Sequence, residues 1–152
     1  MVTNNIEFVK YHTLDNIKDT EIKKSLIHGF GLFCTNIIQK GEVLAELDGQ
    51  IINKEEYEKL MKSISPNIQK YKDYFFMECN IIDDETYLVR AFRTKYSYIN
   101  HSKNANIKLL QNPLRLLAIS QINKGEELTI DYSKEKLSEE YLKNETKQFI
   151  YS

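Results

Sequence analysis

At 152 residues with a formal net charge of −1, the chain is long enough for one domain with a real core and lacks the basic excess of a general nucleic-acid binder. Hydrophobic residues (41%) and charged residues (28%) are in the proportions of a globular protein, and no apolar run approaches the ~20 residues that cross a bilayer. Two cysteines, Cys34 and Cys79, cannot build a disulfide framework or a thiolate zinc cluster, so both read as apolar thiols and no metal is expected. The first residues carry no basic-plus-apolar signal, which makes the cytoplasm the expected location. The nucleus, or export into a host cell by a route that needs no such signal, stays open.

In chain order, residues 6–9 and 21–26 alternate apolar and polar side chains around a polar stretch at 15–19, and both are expected to be strands. All five glycines fall in four places: His28-Gly29-Phe30-Gly31, Gln39-Lys40-Gly41-Glu42, Leu47-Asp48-Gly49-Gln50 and Asn123-Lys124-Gly125-Glu126. Glycine in such positions marks turns or a close backbone approach. Asn53 and Glu56 fit a capping box, and Tyr57, Leu60 and Met61 give the helix behind it one apolar face, ending near Ser65-Pro66. The aromatic stretch 71–78 and residues 86–90 are expected strands. Residues 107–110 and 114–119 form a hairpin turning at Asn112-Pro113. The second lysine–glycine turn, at 123–126, launches a strand over 127–132, and Ser138-Glu139-Glu140 caps a short helix carrying Tyr141, Leu142 and Phe149. Many short strands with two small helices indicate a mainly β, or α+β, fold; no internal repeat is expected.

One stretch has no helical or strand periodicity: residues 97–106, Ser-Tyr-Ile-Asn-His-Ser-Lys-Asn-Ala-Asn. Asparagine and serine side chains satisfy backbone groups in tight irregular loops. Tyr96, Tyr98 and Ile99 lead into it and Ile107, Leu109 and Leu110 leave it, so the loop is tied to the core at both ends. That layout suits a site.

Three blocks, HGFGLF at 28–33, YINHSKNAN at 98–106 and GEELTIDY at 125–132, resemble the signature of the SET-domain protein lysine methyltransferases, over about 24–132. A lone GxG is weak evidence; the second block followed downstream by the third is specific. The resemblance implies a SET fold of small curved sheets whose C-terminal segment threads under a loop as a pseudoknot. It implies a single domain over 1–152, with N-terminal strands in 1–23, a variable insert at 53–79 and a post-SET-like segment at 133–152. The implied activity moves a methyl group from S-adenosylmethionine to a lysine amine of a protein substrate, a histone or another basic protein. Lysine is an ammonium below its pKa of about 10.4, so such a site must desolvate it and hold it in line with the methyl.

By the same resemblance, the backbone of Gly29, Phe30 and Gly31 cups the methionine part of the cofactor. Asn100 and His101 bind it too, His101 packing on the adenine with the aromatic Tyr98 nearby. Tyr132 is the implied catalytic residue and also faces the cofactor, while Leu47, Leu109 and Ile130 line the substrate channel. Glu127 and Asp131 are read as anchors of the threaded loop. Three departures stand out. Leu47 replaces a common channel tyrosine, and Ile130 replaces a phenylalanine frequent in members that add several methyls. Lys103 and Ala105 replace the cysteine and proline of the NHSCxPN form, whose zinc-bearing tail is missing here; Tyr141, Phe149 and Tyr151 are candidates to cover the adenine instead. Acidic residues (Glu55, Glu56, Glu58, Glu78, Asp83, Asp84, Glu85) suit a basic tail as partner. No direct nucleic-acid or membrane partner is expected, and monomer and homodimer both stay open. Two other readings remain: a SET-like module that binds without transferring, and a hydrolase using His12, His28 and His101, which lacks the carboxylate–histidine spacing of a metal site.

Overall fold

Short strands separated by tight turns build three small sheets. The computed structural model describes residues 4–63 and 78–135; the expected strand at 71–77, the end of the first long helix and the expected C-terminal helix with Tyr141, Leu142, Phe149 and Tyr151 lie outside these residues. In order come α1 (Ile6–Tyr11), β1 (Thr20–Lys24), β2 (Phe30–Cys34), β3 (Val43–Glu46), β4 (Gln50–Asn53), α2 (Lys54–Ser63), β5 (Glu78–Asp83), β6 (Thr86–Arg90), β7 (Asn100–His101), β8 (Ile107–Leu110), β9 (Arg115–Ala118) and β10 (Thr129–Ile130). The sheets run β1-β2, β3-β9-β8-β10-β7 and β4-β6-β5. Ile17, Leu32, Ile38, Ile107, Leu116, Ile122, Leu128 and Ile130 are all fully buried in one core cluster, to which α2 and β4 contribute no residue.

Residues 6–9, expected as a strand, are instead α1. Asn5 decides this: its side-chain oxygen accepts from the N–H groups of Glu7 (3.0 Å) and Phe8 (3.3 Å), two of the four donors a helix start leaves orphaned. The Ile6–Val9 spacing serves a helix face as well as a strand face, and Val9 is the residue α1 buries. The capping box at α2 is present, with a variation. Asn53 accepts from Glu56 N–H at 2.8 Å, while Glu56 reaches back to the Asn53 side-chain amide at 3.0 Å. On the face of α2, Tyr57 meets Tyr87 edge-on at 4.8 Å, whereas Leu60 is largely exposed.

The two lysine–glycine turns are copies of one another. Gly41 (φ +92°) and Gly125 (φ +88°) hold the left-handed conformation each turn needs. In each, the glutamate side chain accepts from the backbone N–H three residues before it. Ile38 and Ile122 exchange two backbone hydrogen bonds at 2.9 Å. Gly41 and Glu42 pair with Ala118 as Gly125 and Glu126 pair with Cys34. A repeat of five residues, Ile-x-Lys-Gly-Glu at 38–42 and 122–126, is therefore built into the fold, too short to have been expected as a repeat. Both thiols are free; Cys34 is buried, and burial pushes the Cys79 thiol up to about 11.

The third block enters the large sheet by threading. β10 pairs in parallel with β7 (Thr129 with Asn100, Ile130 with His101) and with β8 (Ile130 with Ile107). β7 thus ends and β8 begins at the level of Ile130, and the loop 102–106 crosses over β10 there. Backbone groups hold the crossing, Ser102 N–H to Ile130 O (3.1 Å) and Asn106 N–H to Thr129 O (3.2 Å). The Asn106 side chain adds two bonds, donating to Glu127 O and accepting from Thr129 N–H, both at 2.8 Å.

A buried ion pair joins the smaller sheet to the segment leading into β7. Glu78, expected on an acidic face open to a basic tail, is only 4% exposed, because it lies opposite Arg90 on paired strands. Arg90 donates to Glu78 (2.5 Å), Asn80 (2.6 Å) and the Asp48 carbonyl (2.9 Å). Glu78 also accepts from Thr94 and Ser97. Glu55, Glu56, Glu58, Asp83, Asp84 and Glu85 are exposed as expected. Among the described residues no helix is long and apolar enough to cross a membrane.

Asn106→Ala removes both side-chain bonds to the threaded strand and is expected to cost about 2–3 kcal/mol in urea denaturation. Arg90→Met leaves the Glu78 carboxylate buried without a counter-charge. Its expected cost is about 3–5 kcal/mol, read as a lowered thermal midpoint with Glu78→Gln/Arg90→Met partly restored.

Candidate active site

The approach to β7 is set by a 3-10 turn, Lys95–Tyr98, capped by Thr94, whose hydroxyl oxygen accepts from Tyr96 N–H at 3.3 Å. The turn buries Tyr96 and delivers Ile99, 3% exposed, to the core, which leaves Asn100 and His101 on the strand beside β10. Asn100 then reaches across to the first block: its side-chain amide donates to the carbonyls of His28 (3.1 Å) and Phe30 (3.2 Å) and to the Glu127 carboxylate (2.8 Å). Glu127 also accepts from the Ser25 hydroxyl at 2.8 and 2.9 Å. All three sequence blocks therefore meet at one asparagine–glutamate contact. Gly31 is glycine because of it: a Cβ there would stand 2.0 Å from a Glu127 oxygen. At Gly29 the φ of +48° is the constraint, and the space beside it is open.

Tyr132 folds back on β7. Its hydroxyl donates to Ile99 O at 2.8 Å, its N–H donates to His101 Nδ1 at 3.1 Å, and its ring lies 6.3 Å from the imidazole at 30°. Because Nδ1 accepts, the proton of the neutral ring sits on Nε2. The 3.9 Å approach of Asp131 to the same nitrogen is consequently no ion pair while the ring is neutral. Burial works to raise the Asp131 carboxyl. The Ser133 hydroxyl (2.5 Å) and N–H (3.0 Å), with the charge of Lys134, outweigh it and hold that carboxyl below its ordinary value. Burial pushes the Tyr96 phenol well up, reinforced by the charge of Glu135, and the side chains of Asn80 and Tyr132 hydrogen-bond to it.

Other expected site residues divide. Phe30, Tyr98, Leu109 and Tyr132 are partly buried and pack on the core, with the Arg93 guanidinium 5.9 Å over the Tyr98 ring. Leu47 (4% exposed) and Ile130 (0%) are closed into the core. Leu109 is the expected channel residue that borders open space, a cavity of about 390 Å³ shared with Lys103, Asp131, Lys134 and Glu135. Four residues given no role in the site from the sequence now have one: Ser25, Tyr96, Asn106 and Glu135. Asn106 had a signal, its fixed place four residues after Ser102; the others depend on contacts distant in sequence.

The His28 and Phe30 carbonyls that converge on Asn100, with open space beside Gly29, suit the ammonium of an amino acid. The residues present thus fit the expected cofactor. Among the described residues, no group of three or more His, Cys, Asp or Glu could hold a metal ion.

The comparisons agree with this geometry. A family model described as SET domain matches residues 29–133. The variant-silencing SET domain-containing protein of Plasmodium falciparum is 32% identical over 124 residues, covering 77% of this chain and 5% of that protein. Histone-lysine N-methyltransferase trithorax of Drosophila virilis is 34% identical over 139 residues, covering 82% of this chain and 3% of that protein. The chain thus spans a small fraction of these curated relatives. Among solved structures, the Neurospora SET domain protein DIM-5, a histone lysine methyltransferase, aligns with a TM-score of 0.57 and 24% identity, covering 82% of this chain and 55% of that one. A humanized mutant of the Chaetomium thermophilum Polycomb Repressive Complex 2 aligns at 0.58 and 22%, covering 80% and 16%. These two likenesses concern the fold. With the model match over 29–133 and the threaded crossing, they lead to one conclusion: the chain belongs to the SET-domain family.

Proposed function

We propose that this chain transfers a methyl group from S-adenosylmethionine to the side-chain amine of a lysine in a histone or another basic protein. The observation that carries the reading is the convergence of Asn100 on the His28 and Phe30 carbonyls, one strand away from the fixed Tyr132 hydroxyl. Curated relatives named as histone-lysine N-methyltransferases support it.

S-adenosylmethionine, when bound, supplies an electrophilic methyl on a sulfonium. Gly29–Gly31 and the Asn100 amide would hold the amino-acid end, and His101 and Tyr98 would offer their rings to the base. Leu109 gives the cavity an apolar wall among charged side chains, and the cationic sulfonium beside an acceptor amine would favour its neutral form. The Tyr132 hydroxyl is held by Ile99 O, so its dipole needs no reorganisation as the reacting nitrogen arrives. A module that binds without transferring is the second reading; Leu47, closed into the core where many members place a channel tyrosine, favours it.

Calorimetry with S-adenosylmethionine and radiolabelled transfer into cell lysate, followed by mass spectrometry of the labelled protein, separate the two. Tyr132→Phe is expected to fold and keep cofactor affinity within about threefold while transfer falls about 10²-fold. Wild-type transfer by that variant would end the catalytic assignment. Asn100→Ala loses the amide that fixes the cofactor turn, so the cofactor Kd is expected to rise about tenfold or more, as a loss of about 1.5 kcal/mol implies. An unchanged Kd contradicts its role.

A further inference from the structure

The three sequence blocks meet at a part-buried carboxylate held only by neutral donors. Glu127 lies against β2 through its backbone: Phe33 bridges to Glu127, and Leu128 N–H donates to Leu32 O at 2.7 Å. Both oxygens of its side chain accept the Ser25 hydroxyl, at 2.8 and 2.9 Å, and one accepts the Asn100 amide at 2.8 Å. Ser25 is itself locked. Its N–H donates to Gly29 O (2.8 Å) and its hydroxyl oxygen accepts from Ile27 N–H (2.9 Å), which ties the carboxylate to the turn with open space beside Gly29. Among the described residues no lysine or arginine pairs with Glu127; Lys23, opposite Gly31 on β1, turns its ammonium to Glu21 (3.8 Å) and to the Phe33 ring (4.9 Å). The Asn100 amide nitrogen has three oxygens around it: the His28 carbonyl (3.1 Å), the Phe30 carbonyl (3.2 Å) and Glu127 (2.8 Å). A cation accepted by those two carbonyls therefore stands in the field of the carboxylate, whose charge no side chain has compensated.

We propose that Glu127, locked in place by Ser25, is the charge that selects the amino-acid ammonium of the cofactor. The inference rests on the methyltransferase reading above and deepens it. As an anchor of the threaded strand, Glu127 needs only to accept from Ser25 and Asn100, and a glutamine could do that with its amide oxygen. Selecting a cation needs the charge as well. Glutamine at this position therefore separates the two roles: the anchoring bonds can stay while the field at the turn is lost. A ligand with no ammonium does not feel the difference.

The experiment is calorimetry with S-adenosylhomocysteine and with its deamino analogue, in which hydrogen replaces the amino group. Neither carries a sulfonium, so the ammonium is the one charge that differs. Wild type is expected to bind S-adenosylhomocysteine about tenfold or more tighter than the analogue. Glu127→Gln is expected to lose about tenfold on S-adenosylhomocysteine and to bind the analogue within about twofold of wild type. Ser25→Ala, which frees the carboxylate to move, shrinks the preference severalfold. An equal loss on both ligands assigns Glu127 to the fold alone and overturns the proposal; so does a wild-type preference retained by Glu127→Gln. Should Glu127→Gln fail to fold, Ser25→Ala decides, and an unchanged preference in that variant overturns the proposal. If wild type binds both ligands equally, the proposal falls and the methyltransferase reading stands. If it binds neither, that reading falls and takes the proposal with it.

Discussion

Everything at the site depends on the crossing of the 102–106 loop over β10. Two strands adjacent in sequence would ordinarily pair with each other or stand apart; here a third lies between them, and both satisfy their backbone groups on it. A strand in that position has no freedom to slide. Ile130 is completely buried and paired on both sides, and Asn106 reads the backbone of β10 with its carboxamide as a neighbouring strand residue would. The register that results places Glu127 against Asn100 and Tyr132 against Ile99 and His101. Shifting β10 by one residue would turn Leu128 and Ile130 out of the core and take the hydroxyl away from its carbonyl.

Local features were legible in the sequence and distant ones were not. The glycine turns, the capping box and the hairpin at Asn112-Pro113 are decided by residues within a few positions of one another, and each is present. Residues 6–9 were misread for an equally local reason: four residues of alternation cannot distinguish two periods, and the Asn5 cap tips the balance. Glu78 was misread for a non-local one. A glutamate looks like surface until Arg90 is known to face it across a ladder. The threaded topology is beyond any propensity argument, since no sum of local preferences encodes a crossing; it entered through motif resemblance alone.

The candidate site divides along the same line. Asn100, His101 and Tyr132 stand out in the sequence because the blocks containing them are specific, and the structure brings Tyr132, just past β10, against β7. The grouping of Leu47, Leu109 and Ile130 as a channel wall was coarser. Leu47 and Ile130 are core residues, and of the three it is Leu109 that borders a cavity. Glu135 and Tyr96 carry no motif. Their environment comes from burial and from a nearby carboxylate, Glu135 for Tyr96 and Asp131 for Glu135, quantities that exist only once the chain has folded.

The paired Ile-x-Lys-Gly-Glu turns have a consequence for the order in which the molecule can be made. Each turn supplies hydrogen-bond partners to the other half, so the first, completed early during synthesis, waits with Ile38 and Cys34 unpaired until residues 122–126 emerge. Only then can β10 enter beneath the crossing. The candidate site consequently has no partial version on the growing chain: one half is formed by residues near 30 and 100, yet remains unheld until residue 130 has been added. Contacts this far apart in sequence make closure slow, and the last strand among the described residues is the one that brings Glu127 and Tyr132 to Asn100 and His101.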